Sequence, residues 1–243
     1  MSRTTVHLLR HGEVHNPGGV LYGRLEGFRL SERGRLMAER VAEVLHGNGH
    51  DIRHVVASPL QRAQETALPT AQAFGLELGT DERLVEAAND FEGTTVGSQR
   101  AALAHPRYWR RYVNPLRPSW GEPYRDQVAR MSAAVGDARR RLADDGGGEA
   151  LLVSHQLPIW VTRLFLERRP LWHDPRKRQC SLASLTSLTF AGTRLVGLSY
   201  WEPAADLVAG ALDLLPGSSG AAIPRAAVED GAVADAAGRE ARA

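Results

Sequence analysis

An α/β fold, with a mostly parallel central sheet and helices on both faces, is what the 243-residue sequence predicts. Two observations carry it. Short apolar runs alternate with helical stretches along the chain. The run Ala-Leu-Leu-Val-Ser at 150–154 is apolar without interruption, which suits a strand buried on both faces.

The elements follow in order. Residues 5–9 (TVHLL) form a short strand, and Asn16-Pro17-Gly18-Gly19 then supplies loop chemistry. Ser31 is a plausible N-cap for a helix to His46, with Met37, Val41, Val44 and Leu45 on one face and Gly47 as its stop. His54–Ala57 is the second strand, after which Ser58 and Pro59 predict the cap and first turn of the helix SPLQRAQETA. Pro69 is expected to kink or end that helix. Residues 98–118 mix aromatic and basic side chains with prolines and read as part of a cap segment spanning about 91–125. Residues 123–143 set Val128, Met131, Val135, Ala138 and Leu142 on one helical face. The 150–154 strand follows three glycines, then come an apolar helix at 158–167 and two strands near 182–190 and 194–201. One domain is expected over 1–202. From 203 to 243 the chain is Ala/Gly-rich and, VAGALDLL apart, aperiodic, which predicts a mobile tail.

Composition excludes several functions. With 30 Lys+Arg against 28 Asp+Glu, the net charge of +2 gives no polycationic surface, so no nucleic-acid partner is expected. Lys177 is the single lysine, and the many arginines suit oxyanions. One cysteine, Cys180, forbids an intrachain disulfide. The N-terminal apolar stretch is too short for a signal peptide, and no run reaches the roughly 18 apolar residues of a membrane span. A cytoplasmic location without membrane contact is the expectation.

In a parallel sheet, functional groups gather at the carboxyl ends of the strands. Three pieces converge there: Arg10-His11 after the first strand, Ser58 with Arg62 one helical turn later, and Ser154-His155 after the 150–154 strand. Arginines, histidines and a helix N-terminus make a pocket for a small, doubly charged anion, for which phosphate is the natural candidate. A neutral imidazole there can attack phosphorus with one nitrogen while the other is held by a hydrogen bond. His11 stands in position for this, and Gly12 would let the backbone approach. A departing alkoxide needs a proton, and DERLVEAANDFEG at 81–93 offers Glu86, with Asp90 and Glu92 as rivals.

The motifs RHGE at 10–13, SPLxRAxxT at 58–66, LxE at 84–86 and VSH at 153–155 resemble, in order and spacing, the phosphoglycerate mutase-like branch (branch 1) of the histidine phosphatase superfamily. The resemblance spans roughly 5–200. It implies a three-layer α/β/α sandwich and phosphohistidine chemistry with neither metal nor cofactor. Carried over by position, it makes His11 the nucleophile, Arg10, Arg62 and His155 the phosphate clamp, and Glu86 the proton donor. Asn16, Tyr22, Gly23 and Gln156 are the expected substrate contacts. Two departures stand out: Asn16 lies five residues past His11 where many relatives have six, and Gln156-Leu157-Pro158 stands where relatives often have glycines.

The expected activity is hydrolysis of a small phosphorylated metabolite to release inorganic phosphate. The alternatives are a phosphoglycerate mutase and a non-catalytic phospholigand-binding protein, with a homodimer left open. In the cap, Arg110 and Arg111 match an arginine pair that binds the substrate carboxylate in phosphoglycerate mutases. The pairs His11/His15 and His46/His50/His54 have metal-ligand spacing only on helices, which the neighbouring glycines and Pro17 disfavour. His173-Asp174 resembles a pair in the acid-phosphatase branch but sits in a Pro/Arg-rich loop, so it reads as coincidence.

Overall fold

A computed structural model describes residues 3–95 and 121–223. Six strands form one sheet in the order β3-β2-β4-β1-β5-β6. These are β1 (Arg3–Arg10), β2 (Ile52–Ala57), β3 (Leu78–Thr80), β4 (Gly148–Ser154), β5 (Leu185–Ala191) and β6 (Arg194–Trp201). β1, β2, β3 and β4 run parallel to one another, β5 pairs antiparallel with β1, and β6 antiparallel with β5.

Helices cover both faces. On one side, α1 (Glu32–Gly47) and α2 (Gln61–Ala73) pack Met37, Val41, Leu45, Ala63, Ala67 and Ala71 against Leu9, Leu151 and Val153. On the other, α3 (Tyr124–Asp144) and α4 (Gln156–Leu166) pack Met131, Val135, Leu142 and Ile159 against Val6, Leu8, Ala150 and Leu152. Alternate residues of β1 and β4 thus serve opposite layers, as a strand buried on both faces requires. The three-layer α/β/α sandwich is the observed architecture.

Ser31 caps α1 as expected, its side chain accepting from the Gly34 N–H. At α2 the sequence reading needs correction. Leu60, not Ser58, holds the cap position, and its apolar side chain makes no cap bond; the Ser58 hydroxyl lies two residues earlier, meeting His155 Nε2 at 2.9 Å and accepting the Leu60 N–H at 3.4 Å. Of the two outcomes expected at Pro69, a kink or an end, the end does not occur, and the helix runs on to Ala73. The buried Ala63-Ala67-Ala71 stripe carries it past the missing N–H.

A larger correction concerns residues 203–223, expected to begin a mobile tail. They form a strap. Ala204, Val208 and Ala211 are buried in the layer with α1, a short helix spans Ala205–Val208, and Leu212 donates its N–H to Glu13 Oε1 at 2.6 Å. The exception to aperiodicity, VAGALDLL, is the part that packs: it supplies enough apolar surface to offset the entropy of ordering. Residues 224–243, and Arg110 and Arg111 with most of the expected cap, lie outside the described residues.

Candidate active site

The sheet register places the chemistry. Arg10 lies opposite Ser154, and Ala57 opposite Val153, so His11, Ser58 and His155 leave three adjacent strands at one rim. Backbone bonds prolong the ladder there: His11 N–H donates to Ser154 O at 3.1 Å and Ser58 N–H to Val153 O at 2.9 Å.

His11 is buried, with its ring centroid 5.1 Å from that of His155. Its Nδ1 lies 2.8 Å from Gly12 O, a carbonyl that can only accept, so Nδ1 carries the proton and Nε2 keeps a lone pair. Burial, then the charges of Arg62 and Arg10, push the His11 pKa well below the usual histidine value. His155 is lowered in the same way by burial, Arg62 and His11. Both rings are therefore neutral at neutral pH. His155 Nε2 meets Ser58 Oγ at 2.9 Å.

Arg62, 1% exposed, reaches the rim from the first turn of α2, donates Nη2 to Gly23 O at 2.6 Å and lies 4.7 Å over the Tyr22 ring. The motif's threonine explains itself here: Thr66 Oγ1 donates to Arg62 O and accepts the Gly12 N–H, joining α2 to the loop after β1. Gly12 has a different reason from the one expected. A Cβ on it would lie 2.6 Å from Gly34 O, so its bareness admits helix α1 rather than a ligand.

Arg10 Nη1 donates to Cys180 O at 2.8 Å, and Arg10 pairs in bidentate fashion with Asp213. Burial opposes its charge, but the Asp213 carboxylate overrides burial and raises its pKa. At the rim, Arg10 Nε, Arg62 Nε and His155 Nδ1 are buried and find no hydrogen-bond partner among the described residues. Buried donors left unpaired are costly, and an oxyanion is the group that would satisfy several at once.

The pocket beside His11 is lined by Tyr22, Gly23, Glu86 and Gln156 among the expected residues. Burial raises the Glu86 pKa, opposed by the Ala87 N–H bond and by Arg62. Neither rival lines the pocket: Asp90 is exposed, and Glu92 accepts the Arg24 N–H at 3.0 Å while packing against Gly23. Burial likewise pushes Tyr22 up to about 12, which keeps its hydroxyl protonated. Asn16 is not part of the pocket. Its amide closes its own loop, donating to Val20 O and accepting from Val20 N, in keeping with its shifted position.

Sequence reasoning missed Asp213, Arg178 and the pocket walls Leu214 and Leu215. The apolar octet around Asp213 was the available signal. For Arg178 there was none beyond its place among many arginines. The histidine spacings give no site at the rim. His50 instead meets His7 and Glu149, the one group of possible metal-ligand side chains among the described residues.

A neutral histidine ringed by cationic and N–H donors at the carboxyl rim of an α/β sandwich defines a phosphoryl-handling protein. The chain belongs to the histidine phosphatase superfamily (branch 1), whose family model matches residues 6–202. It is 55% identical over 202 residues to the uncharacterized protein Rv0525 of Mycobacterium tuberculosis (strain ATCC 25618 / H37Rv), covering 83% of this chain and 98% of that one. It is 30% identical over 206 residues to the glucosyl-3-phosphoglycerate phosphatase of the same strain, covering 82% of this chain and 87% of the relative. The solved structure of mycobacterial glucosyl-3-phosphoglycerate phosphatase Rv2419c superposes with a TM-score of 0.66 at 28% identity, over 82% of this chain and 99% of that one. A phosphoglycerate mutase from Bacillus anthracis, 21% identical with a TM-score of 0.63, shares the fold. No helix among the described residues is long and apolar enough to cross a membrane.

Proposed function

We propose that this chain is a phosphomonoester hydrolase working through a phosphohistidine at His11. The observation that carries the reading is the fixed tautomer of His11, with Nδ1–H bonded to Gly12 O and Nε2 bearing its lone pair, at a rim where Arg10 Nε, Arg62 Nε and His155 Nδ1 have no partner among the described residues. The relative named as a phosphatase supports hydrolysis over mutase chemistry.

In the first step Nε2 attacks phosphorus, the P–O ester bond breaks, and Glu86 gives its proton to the departing alkoxide. Arg10, Arg62 and His155 hold the equatorial oxygens, doing the electrostatic work without a metal. In the second step a water attacks phosphorus and passes a proton to the Glu86 carboxylate. The P–N bond breaks, and inorganic phosphate and neutral His11 are regenerated.

Acid-quenched protein incubated with a radiolabelled phosphomonoester should carry label on histidine, and His11→Ala protein should carry none and release no phosphate. Turnover by His11→Ala at the wild-type rate would end this reading. A chelator should leave wild-type turnover unchanged.

A further inference from the structure

Arg178 is a buried cation with no carboxylate partner among the described residues. It is 6% exposed and lines the same pocket as His11 and Glu86. Its Nε donates to His173 Nε2 at 2.8 Å and its Nη1 to Gln156 Oε1 at 3.1 Å, both neutral acceptors. Nη2 has no acceptor among the described residues.

Its neighbours hold it in place. His173 Nδ1 donates to Leu171 O at 2.7 Å, which leaves Nε2 free to accept from Arg178. Gln156 Nε2 donates to Leu215 O at 2.6 Å, and the Arg178 carbonyl accepts from Ser218 N at 3.0 Å and Ser218 Oγ at 3.1 Å. A guanidinium fixed this firmly loses little entropy on binding an oxyanion.

The other cations around the pocket divide by partner. Arg10 is matched by Asp213, and Arg24 and Arg130 by Glu122. Among the described residues, Arg62 and Arg178 make no ion pair. An unmatched buried charge costs several kcal/mol unless something compensates it. Arg62 and Arg10 act on the His11 ring. Arg178 shares the pocket lining with Glu86, the proton donor of the proposed first step, and with Gln156, which holds it.

We propose that Arg178 anchors a second anionic group, a carboxylate or a second phosphate, on the alcohol portion of the substrate. The inference rests on the phosphomonoesterase reading, and it narrows the substrate class to phosphomonoesters that carry a second acid.

Matched esters test it: D-3-phosphoglycerate against glycerol 3-phosphate for the carboxylate, and fructose 1,6-bisphosphate against fructose 6-phosphate for the phosphate. Wild type should favour the acidic member of at least one pair by about 10- to 100-fold in kcat/KM, mostly through KM, the range a charge-assisted hydrogen bond supplies. Arg178→Gln should erase the preference, and Arg178→Lys should restore part of it. No preference in wild type, or a preference that survives Arg178→Gln, overturns the proposal. Should no ester be hydrolysed at all, the hydrolase reading fails, and calorimetric binding of the same pairs judges Arg178 independently by the same two outcomes.

Discussion

Asp213 grips Arg10 from beyond the 6–202 stretch that the family model spans: Oδ2 lies 2.8 Å from Nη1 and Oδ1 2.9 Å from Nη2, with both side chains buried. The motif arginine next to the nucleophile candidate is thus oriented by a residue that the motif does not contain.

Asp213→Ala would strand the Arg10 charge in the interior. We expect a loss of about 3–5 kcal/mol of stability, the range for breaking one side of a buried ion pair. Asp213→Asn keeps an acceptor and should lose less. Inorganic phosphate should raise the melting temperature of Asp213→Ala more than that of wild type, since it supplies the missing negative charge. Equal shifts in differential scanning fluorimetry would count against a phosphate site at Arg10.

Activity should depend on pH through Glu86 and His11. The depressed His11 pKa keeps its lone pair free below the usual histidine range, and the raised Glu86 pKa keeps the donor protonated above the usual carboxylate range. We expect kcat/KM to peak on the acid side of neutrality and to fall as Glu86 ionises. Glu86→Gln should flatten that alkaline fall and lower kcat by about 10²–10⁴. A pH–rate profile of both proteins checks this.

Stability should fall with acid. An unfolded histidine takes up a proton near pH 6.5, whereas His11 and His155 resist it to lower pH when folded. Below 6.5 the unfolded chain therefore binds more protons. The histidine contribution is complete above that value and is lost as pH falls toward the folded pKa. The slope should reach about 1.4 kcal/mol per pH unit for each ring. His155→Gln should remove one of the two contributions, measured as urea midpoints between pH 7.5 and 5.5.

Gly34→Ala should be among the most damaging single-methyl changes. Its Cβ would collide with Glu13 O, just after His11 and Gly12. Either α1 or the loop after β1 must move, and overpacking of this kind costs about 1–3 kcal/mol. A lower melting temperature should accompany reduced phosphate affinity, because the displaced loop also carries His11. Gly27→Ala, with open space at its Cβ, gauges the backbone cost of a positive φ alone.

The rim was legible in the sequence because its residues follow strands or caps, where local patterns are strongest. Arg10-His11 and Ser154-His155 could be placed at strand ends, and Arg62 a helical turn beyond one, from the alternation of strands and helices, and the observed register sets those ends side by side. The helix 123–143 came within a residue of Tyr124–Asp144 at either end, since its apolar face repeats over many turns. β3, only three residues long and marked by a glycine, gave no pattern to read. The role of Asp213 was not legible, since its partner Arg10 lies 203 residues away, and Arg178 stood out in no pattern among the many arginines. The failure at Ser58 has the same origin as that at Asp213, with a tertiary partner overriding a local preference.

The strand order has a consequence for synthesis. β1 is made first but sits between β4 and β5, so its hydrogen-bonding edges stay unpaired until residues 148–191 exist. Asp213 comes later still. A growing chain can thus assemble the β2–α2–β3 unit early, but it cannot complete the sheet's centre until residues 148–191 are made, or balance Arg10 until Asp213 is. Pairings this distant make folding slow and leave an apolar strand exposed meanwhile. The stretch that carries His11 is then among the last to become native.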